Sequence, residues 1–325
     1  RDLVRSRGLG DVYKRQVNSS GPTFIDYDND GDIDIYVVTE YHGEGQGNRL
    51  FENQGNRIFI DVASIRGVDN ENALGRGASW GDYDNDGDMD LAISNLPPTD
   101  KSTHIPTTLY KNLLKETGEP NFENVTIEAQ LFRKGNENDR KIGGIGNTGA
   151  GIAWADYDND GDLDLYWKCA DFDIDSALFR NNGDLTFSDL TWRSRASGYG
   201  VGSGVGTADL DEDGFLDIFF TNRTFYTGGE QITESDRNYL LFNKGNKNNW
   251  LKIELIGTES NTNGYGARVS VASNDLTLYR EATSAHGYNS GNDPRIHFGL
   301  GEKDSVDFIE VIWPSGKKSK LLNPS

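Results

Sequence analysis

The chain alternates short apolar runs with acidic, glycine-bearing turns, at a wavelength too short for helices. Four runs, IYVVT, LAISN, LYWKC and IFFTN, are rich in β-branched and aromatic residues and predict strands. Each follows a nine-residue acidic segment, which in turn follows a shorter stretch carrying glycine or an aromatic residue: TFI, ASWG, IAWA and VGTA. A second pattern then recurs in each unit, as NRLFENQGNRIF, TTLYKNL with FENV after it, SALFRNNGDLTF and NYLLFNKG. It reads as a strand, a tight Asn/Gly turn and another strand. Strands flanking the acidic segment plus this hairpin make about four strands per unit, the content of a propeller blade.

The acidic segments are copies of one another: DYDNDGDID from Asp26, DYDNDGDMD from Asp82, DYDNDGDLD from Asp156 and DLDEDGFLD from Asp209. Their starts lie 56, 74 and 53 residues apart, the period of one supersecondary unit with insertions. The longest interval contains the polar, glycine-rich stretch from Gly135 to Gly149. The expected fold is all-β, a partial propeller of about four blades over residues 17–248 and a small β-domain over residues 249–325. That second region changes pattern to WLKIELIG, ARVSVA, LTLYREA, RIHFGLG and DFIEVIWPSG, strands without acidic loops. Residues 1–16 include DVYKRQ from Asp11, which reads as a translated transposon-end adapter, so they are expected to stand outside the fold.

In D-x-D-x-D-G-x-x-D, side chains at positions 1, 3, 5 and 9 can converge on one point, and the carbonyl at position 7 adds an oxygen. An oxygen-only shell of this kind suits Ca²⁺ at about 2.3 to 2.6 Å; Mg²⁺, with its strict octahedral demand, suits it less. Glycine at position 6, as Gly31, Gly87, Gly161 and Gly214, lets the chain turn sharply around an ion. Each segment holds five acidic residues in nine, whose mutual repulsion raises their pKa values until a divalent ion removes it. Four Ca²⁺ would add eight positive charges to a formal −20 and leave −12. An EF-hand is excluded because its twelfth-position Glu would fall on Val37, Ile93, Trp167 and Phe220.

Composition narrows the partners. With 52 acidic against 32 basic residues the chain repels nucleic acid and anionic lipid, so neither nucleic-acid binding nor membrane insertion is expected. No apolar run reaches the length of a membrane span. The single cysteine, Cys169, excludes an intrachain disulfide and reads as a small buried strand residue. The 39 glycines and one methionine fit many short strands joined by tight turns better than a helical bundle.

At the acidic segments the chain resembles the FG-GAP, or VCBS, repeat family, whose units build calcium-binding propellers in integrin α-chains and many bacterial surface proteins. The resemblance implies side-chain ligands Asp26, Asp28, Asp30 and Asp34, with Asp32 giving its carbonyl. It implies Asp82, Asp84, Asp86 and Asp90 with Asp88, then Asp156, Asp158, Asp160 and Asp164 with Asp162. In the fourth segment Asp209, Asp211, Asp213 and Asp217 correspond, with Phe215 giving its carbonyl. That copy departs from the others at Glu212 and Phe215, neither at a side-chain ligand position. Such propellers usually close with seven blades, so further blades are expected upstream of residue 17. The stretch NNWLKIELIGTESNTNGYGARVSV, then NDPRIHFGLG, then VIWPSGK, resembles the ASPIC/UnbV domain that follows such repeats in the cartilage acidic protein family.

The function implied is an extracellular calcium-binding module that binds a protein or glycan and is not an enzyme, with aromatic loop residues such as Tyr41, Trp192, Tyr199, Phe225 and Tyr226 as contacts. The alternative is a polysaccharide-active enzyme or its scaffold, with the active site on missing blades or in the second domain. Among the four histidines, His42 and His104 sit in polar loops, His297 in a strand, and His286 in SAHGYNSG, with Arg280 and Glu281 near in sequence, is the best catalytic candidate. The glycines at 143, 144 and 146 lack the Lys-Ser/Thr that would make a phosphate loop. Weak calcium sites fill outside the cell, so a secreted, periplasmic or surface location is expected.

Overall fold

A computed structural model describes residues 19–40, 47–71, 73–96, 107–132, 149–170, 175–198, 200–223, 226–227, 230–231, 237–283 and 286–324. The adapter-like string, Tyr41, His42, His104, Tyr199, Phe225 and the glycines at 143–146 lie outside them, as do the side chain of Tyr226 and most of the insertion before Gly149.

The fold is all-β. Blade 1 is built of β1 (Ser19–Ile25), β2 (Asp34–Thr39), β3 (Arg49–Asn53) and β4 (Phe59–Asp61), joined in that order as one antiparallel sheet, with the single turn α1 (Ala63–Arg66) after it. Blade 2 repeats the plan with β5 (Leu74–Gly81), β6 (Asp90–Leu96), β7 (Thr108–Asn112), the inserted turn α2 (Leu114–Thr117) and β8 (Phe122–Asn124). Blade 3 has β9 (Gly149–Ala155), β10 (Asp164–Cys169), β11 (Ala177–Asn181) and β12 (Phe187–Asp189), followed by α3 (Thr191–Ser194). The acidic segment connects the first strand to the second in each, and the Asn/Gly turn connects the third to the fourth in blades 1 and 3.

Blade 4 departs from the four-strand expectation. It has β13 (Gly202–Ala208), β14 (Asp217–Asn222) and β17 (Tyr239–Leu241), with the two-residue strands β15 (Tyr226–Thr227) and β16 (Glu230–Gln231) paired apart from it. The chain that forms an outer strand in the other blades runs on here as β18 (Asn249–Ile253), which pairs with β21 (Ile296–Gly301) of the second domain. That domain adds a four-stranded sheet of β20 (Leu276–Glu281), β19 (Arg268–Ser273), β22 (Phe308–Ile312) and β23 (Lys318–Leu322). Its own core gathers Val269, Val271, Leu278, Phe298 and Val311.

The blades pack face to face. Tyr27, Tyr36, Trp80 and Phe122 fill the seam between blades 1 and 2. Tyr83, Trp154, Trp167 and Phe187 fill the next, and Tyr166, Val205 and Phe220 the third. Burying side chains of this size is worth about 1.5 to 3 kcal/mol each, which is what holds sheets too small to stand alone. Cys169 is buried in the second seam, as expected. The first strands β1, β5, β9 and β13 neighbour one another along the inside of the arc.

Residues 287–293 of the second domain run along those inner strands. Gly287 N–H donates to Ala78 O at 2.9 Å, Val205 N–H to Ser290 Oγ at 2.8 Å, and Asp293 N–H to Thr207 O at 3.0 Å. The close approach explains Gly77 and Gly204: a Cβ at Gly77 would stand 2.6 Å from Tyr288 N, and one at Gly204 2.5 Å from Asn289 O.

Candidate metal centres

Each acidic segment closes into the same loop. Its glycine has positive φ, between 92° and 102°, and donates its N–H to the first-position carboxylate: Gly31 to Asp26 at 3.1 Å, Gly87 to Asp82 at 3.1 Å, Gly161 to Asp156 at 2.9 Å and Gly214 to Asp209 at 3.0 Å. The residue at position 7 donates its N–H to the fifth-position carboxylate at 2.8 to 3.0 Å in all four. These bonds fold the loop back on itself and aim the remaining carboxylate oxygens inward.

Oxygens of Asp26, Asp28 and Asp34 lie within 4.8 Å of one another, and the same holds for Asp156, Asp158 and Asp164 and for Asp209, Asp211 and Asp217. In the second loop the group is Asp82, Asp84 and Asp86. Asp30, Asp160, Asp213 and Asp90 stand outside these groups. The first three turn an oxygen onto the backbone N–H of position 7, and Asp90 accepts from Tyr83 N–H at 3.1 Å and Asn112 N–H at 2.8 Å. At position 7 the side chains of Asp88 and Asp162 are held by Lys115 N–H at 2.9 Å and Asn85 Nδ2 at 2.7 Å, that of Asp32 is exposed, and Phe215 is buried. No side chain at that position joins a group with its own loop's first-position Asp, whereas Asp86 and Asp88 form a further group with Glu116.

The donor set fits a dication by its unmet demand. Asp26 Oδ1, Asp34 Oδ2, Asp84 Oδ1, Asp86 Oδ2, Asp88 Oδ1 and Asp158 Oδ1 are buried oxygens with no hydrogen-bond partner among the described residues. Burial, reinforced by neighbouring carboxylates, pushes Asp26 and Asp158 up to about 6 and Asp88 up to about 7. Burial pushes Asp34, Asp82 and Asp156 up to about 8, the last two against the pull of Arg280. Asp90 and Asp164 stand well above the ordinary carboxylate range for the same cause. Enclosed carboxylates that resist ionising alone are what a bound cation would relieve.

Among the described residues, ion pairs to loop carboxylates form in two of the loops. Lys111 pairs with Asp84 and lies 2.6 Å from Glu116. Lys252 of β18 lies 2.8 Å from both Asp209 and Glu212. Burial works against ionisation of Asp209, but Lys252 and the Gly214 N–H outweigh it and hold its carboxyl below the usual range.

Two sets of linking residues were not foreseen. The Asn that closes the third strand region, as Asn53, Asn112, Asn181 and Asn243, donates its N–H to the ninth-position Asp at 2.7 to 2.8 Å. In the last three copies its side chain crosses to the preceding blade and donates to the carbonyl of Tyr27, Tyr83 or Tyr157 at 2.7 to 2.8 Å. The signal was present as the repeated FEN, YKN, FRN and LFN. At position 4 Asn29, Asn85 and Asn159 each reach the next loop, donating to Gly87 O, Asp162 Oδ1 and Gly214 O. Glu212, at that position in the last loop, pairs instead with Lys252 and with Arg295 at 3.0 Å.

The second domain therefore lies over all four loops. Arg268 bonds to Asn29, Arg280 donates to Gly161 O at 3.1 Å, and His297 Nε2 is 2.7 Å from Asn159 Oδ1. His297 thus has the structural strand role expected, stacked on Trp250. His286, with Arg280 and Glu281, lines a cavity of about 100 Å³ under the domain, where burial pulls the imidazole down to about 4.

Residues 18–93 match the FG-GAP-like repeat family, and residues 257–325 match the family described as ASPIC and UnbV. The chain is similar to cartilage acidic protein 1 of Mus musculus, Homo sapiens and Xenopus tropicalis, at 29%, 27% and 28% identity over 288 residues. Each alignment covers 84% of this chain and 38% to 39% of the relative, so the chain spans well under half the length of the curated relatives it matches. Among solved structures, the V. cholerae biofilm matrix protein Bap1 aligns at 13% identity and a TM-score of 0.33, covering 94% of this chain and 59% of that one.

Proposed function

We propose that this chain, with its FG-GAP-like repeats and its ASPIC/UnbV domain, is an extracellular calcium-binding propeller module that holds a protein or glycan ligand on its rim and catalyses no reaction. The observation that carries the calcium reading is the recurrence, in four consecutive blades, of carboxylate oxygens within 4.8 Å of one another around the same turn. Hard oxygen donors on an irregular loop, without the strict octahedral arrangement Mg²⁺ demands, favour Ca²⁺, and weak sites of this type fill at extracellular calcium concentrations. The similarity to a protein named for cartilage fits that setting. No helix among the described residues is long and apolar enough to cross a membrane.

The second domain covers the metal loops, which directs ligand contact to the rim. There Ile65, Ile127 and Trp192 follow the outer strands of blades 1, 2 and 3 and are 75%, 56% and 64% exposed. These side chains, one from each of three blades, are the contacts this reading assigns to the ligand. The cavity at Arg280, Glu281 and His286 is about 100 Å³, room for a few waters and far below the size of a saccharide site, which argues against His286 as a catalytic group for such a substrate.

The test is a glycan and surface-protein array probed with the calcium-loaded chain and its Trp192→Ser variant, beside a polysaccharide panel assayed for cleavage. Saturable binding weakened by Trp192→Ser, without product, is expected. Release of product would overturn the non-catalytic reading.

A further inference from the structure

In blades 2 and 3 the outer strand plugs the seam with the blade before it. Phe122, which opens β8, stacks on Tyr27 with ring centres 6.1 Å apart; Phe187, which opens β12, lies 5.8 Å from Tyr83. Phe187 N–H also donates to Ala129 O of blade 2 at 2.8 Å. Both tyrosines are the second residue of the preceding blade's acidic loop. Tyr157 is the third such residue, and by the same rule its aromatic partner belongs on an outer strand of blade 4.

Among the described residues that strand is missing, because the chain leaves β17 for β18 and the second domain. Where it would lie is a groove of about 640 Å³ with Tyr157, Leu178, Leu190 and Leu241 in its lining. Tyr157 Oη is buried there with no hydrogen-bond partner among the described residues, and Leu240 and Phe242 are 43% and 56% exposed. Arg180, Arg193, Arg195 and Lys244 also line it, a cationic patch on a chain of formal charge −20; its two carboxylates, Asp158 and Asp164, belong to the third loop.

We propose that this groove takes an extended strand of a separate polypeptide, of the form Phe-x-Asp, which adds to β17 as the fourth strand of blade 4. Its template is in the molecule: Phe59-Ile60-Asp61 and Phe187-Ser188-Asp189 are the outer strands of blades 1 and 3. In blade 3, Phe187 stands opposite Asn181 and Asp189 opposite Phe179. The corresponding places in blade 4 are Asn243 and Leu241, so the incoming Phe would reach Tyr157 and the incoming Asp the Arg/Lys rim. Backbone pairing supplies affinity and the aromatic slot supplies selection.

The probe is a fluorescein-labelled peptide DLTFSDL, the sequence of residues 184–190, titrated with the whole chain in calcium buffer and read by polarisation. We expect saturable binding that weakens by about tenfold or more when the peptide's Phe becomes Ala. Arg193→Glu with Lys244→Glu, both at exposed positions, is expected to weaken it comparably at an unchanged melting temperature. Slowed hydrogen exchange at Tyr239 to Leu241 would place the peptide on β17. Absence of binding, or equal binding by the Ala peptide or by the charge-reversed protein, overturns the proposal. So does dimerisation of the chain through this groove, which would give it to a second copy. These outcomes are independent of the calcium reading, which rests on melting in chelator.

Discussion

Lys252 Nζ lies 2.8 Å from Asp209 Oδ2, so the first strand of the second domain delivers a cation to the first-position carboxylate of the fourth loop. The side chains are 10% and 0% exposed, so neither charge is well solvated. Removing one partner of such a pair strands the other and costs about 3 to 5 kcal/mol. Lys252→Met is therefore expected to destabilise the chain by that order in chelator, and by less in saturating calcium, where an ion supplies the missing charge. Melting in both conditions checks it.

Asn181 links two blades through one side chain, donating to Tyr83 O at 2.7 Å and Leu163 O at 3.3 Å. Asn181→Ala leaves two buried carbonyls without these donors, at about 1 to 3 kcal/mol each. Urea unfolding is expected to show a loss of about 3 kcal/mol, on the order of those two terms together.

The metal-free loops impose a pH trend of definite sign. Asp34, Asp82 and Asp156 are pushed up to about 8, above their unfolded value of 3.8, so between those pH values the folded chain binds more protons than the unfolded one. Stability in chelator is full near pH 4 on this account and is lost as pH rises toward 8. Calcium binding must release those protons, so the trend flattens when the ion is present. Melting temperature from pH 5 to pH 8, with and without calcium, measures both.

His286 gives the opposite trend. Burial pulls it down to about 4, below its unfolded value of 6.5, so its contribution is complete above pH 6.5 and is lost as pH falls through 4. Because residue 286 as a whole keeps some solvent exposure, the loss is expected to be about 2 kcal/mol, less than the full shift implies. In calcium-loaded protein, His286→Gln is expected to reduce the fall in melting temperature between pH 6.5 and pH 4.

The repeat, its strand content and the four loops were legible because they are local: a nine-residue spacing fixes where carboxylates, the glycine turn and the next strand fall. What escaped was set by contacts distant in sequence. Nothing in NYLLFNKG tells that its continuation pairs with β21 and leaves blade 4 with three strands. Gly77 and Gly204 of the inner strands were visible, but the reason for them is the passage of residues 287–293, more than 80 positions beyond Gly204. In the sequence Glu212 stands only outside the ligand positions and Asn29 is not singled out; their partners, Lys252 in the second domain and Gly87 in the next loop, show both as links.

The central claim is that the four loops are calcium sites, and a thermal melt of the chain in chelator and across a calcium series, with magnesium as control, tests it most directly. A site that binds the folded state alone adds about 2.7 kcal/mol once free ion exceeds its dissociation constant a hundredfold. A large rise in melting temperature with calcium and little with magnesium is expected. A folded chain whose melting is unmoved by calcium would contradict it and leave the four loops as acidic turns.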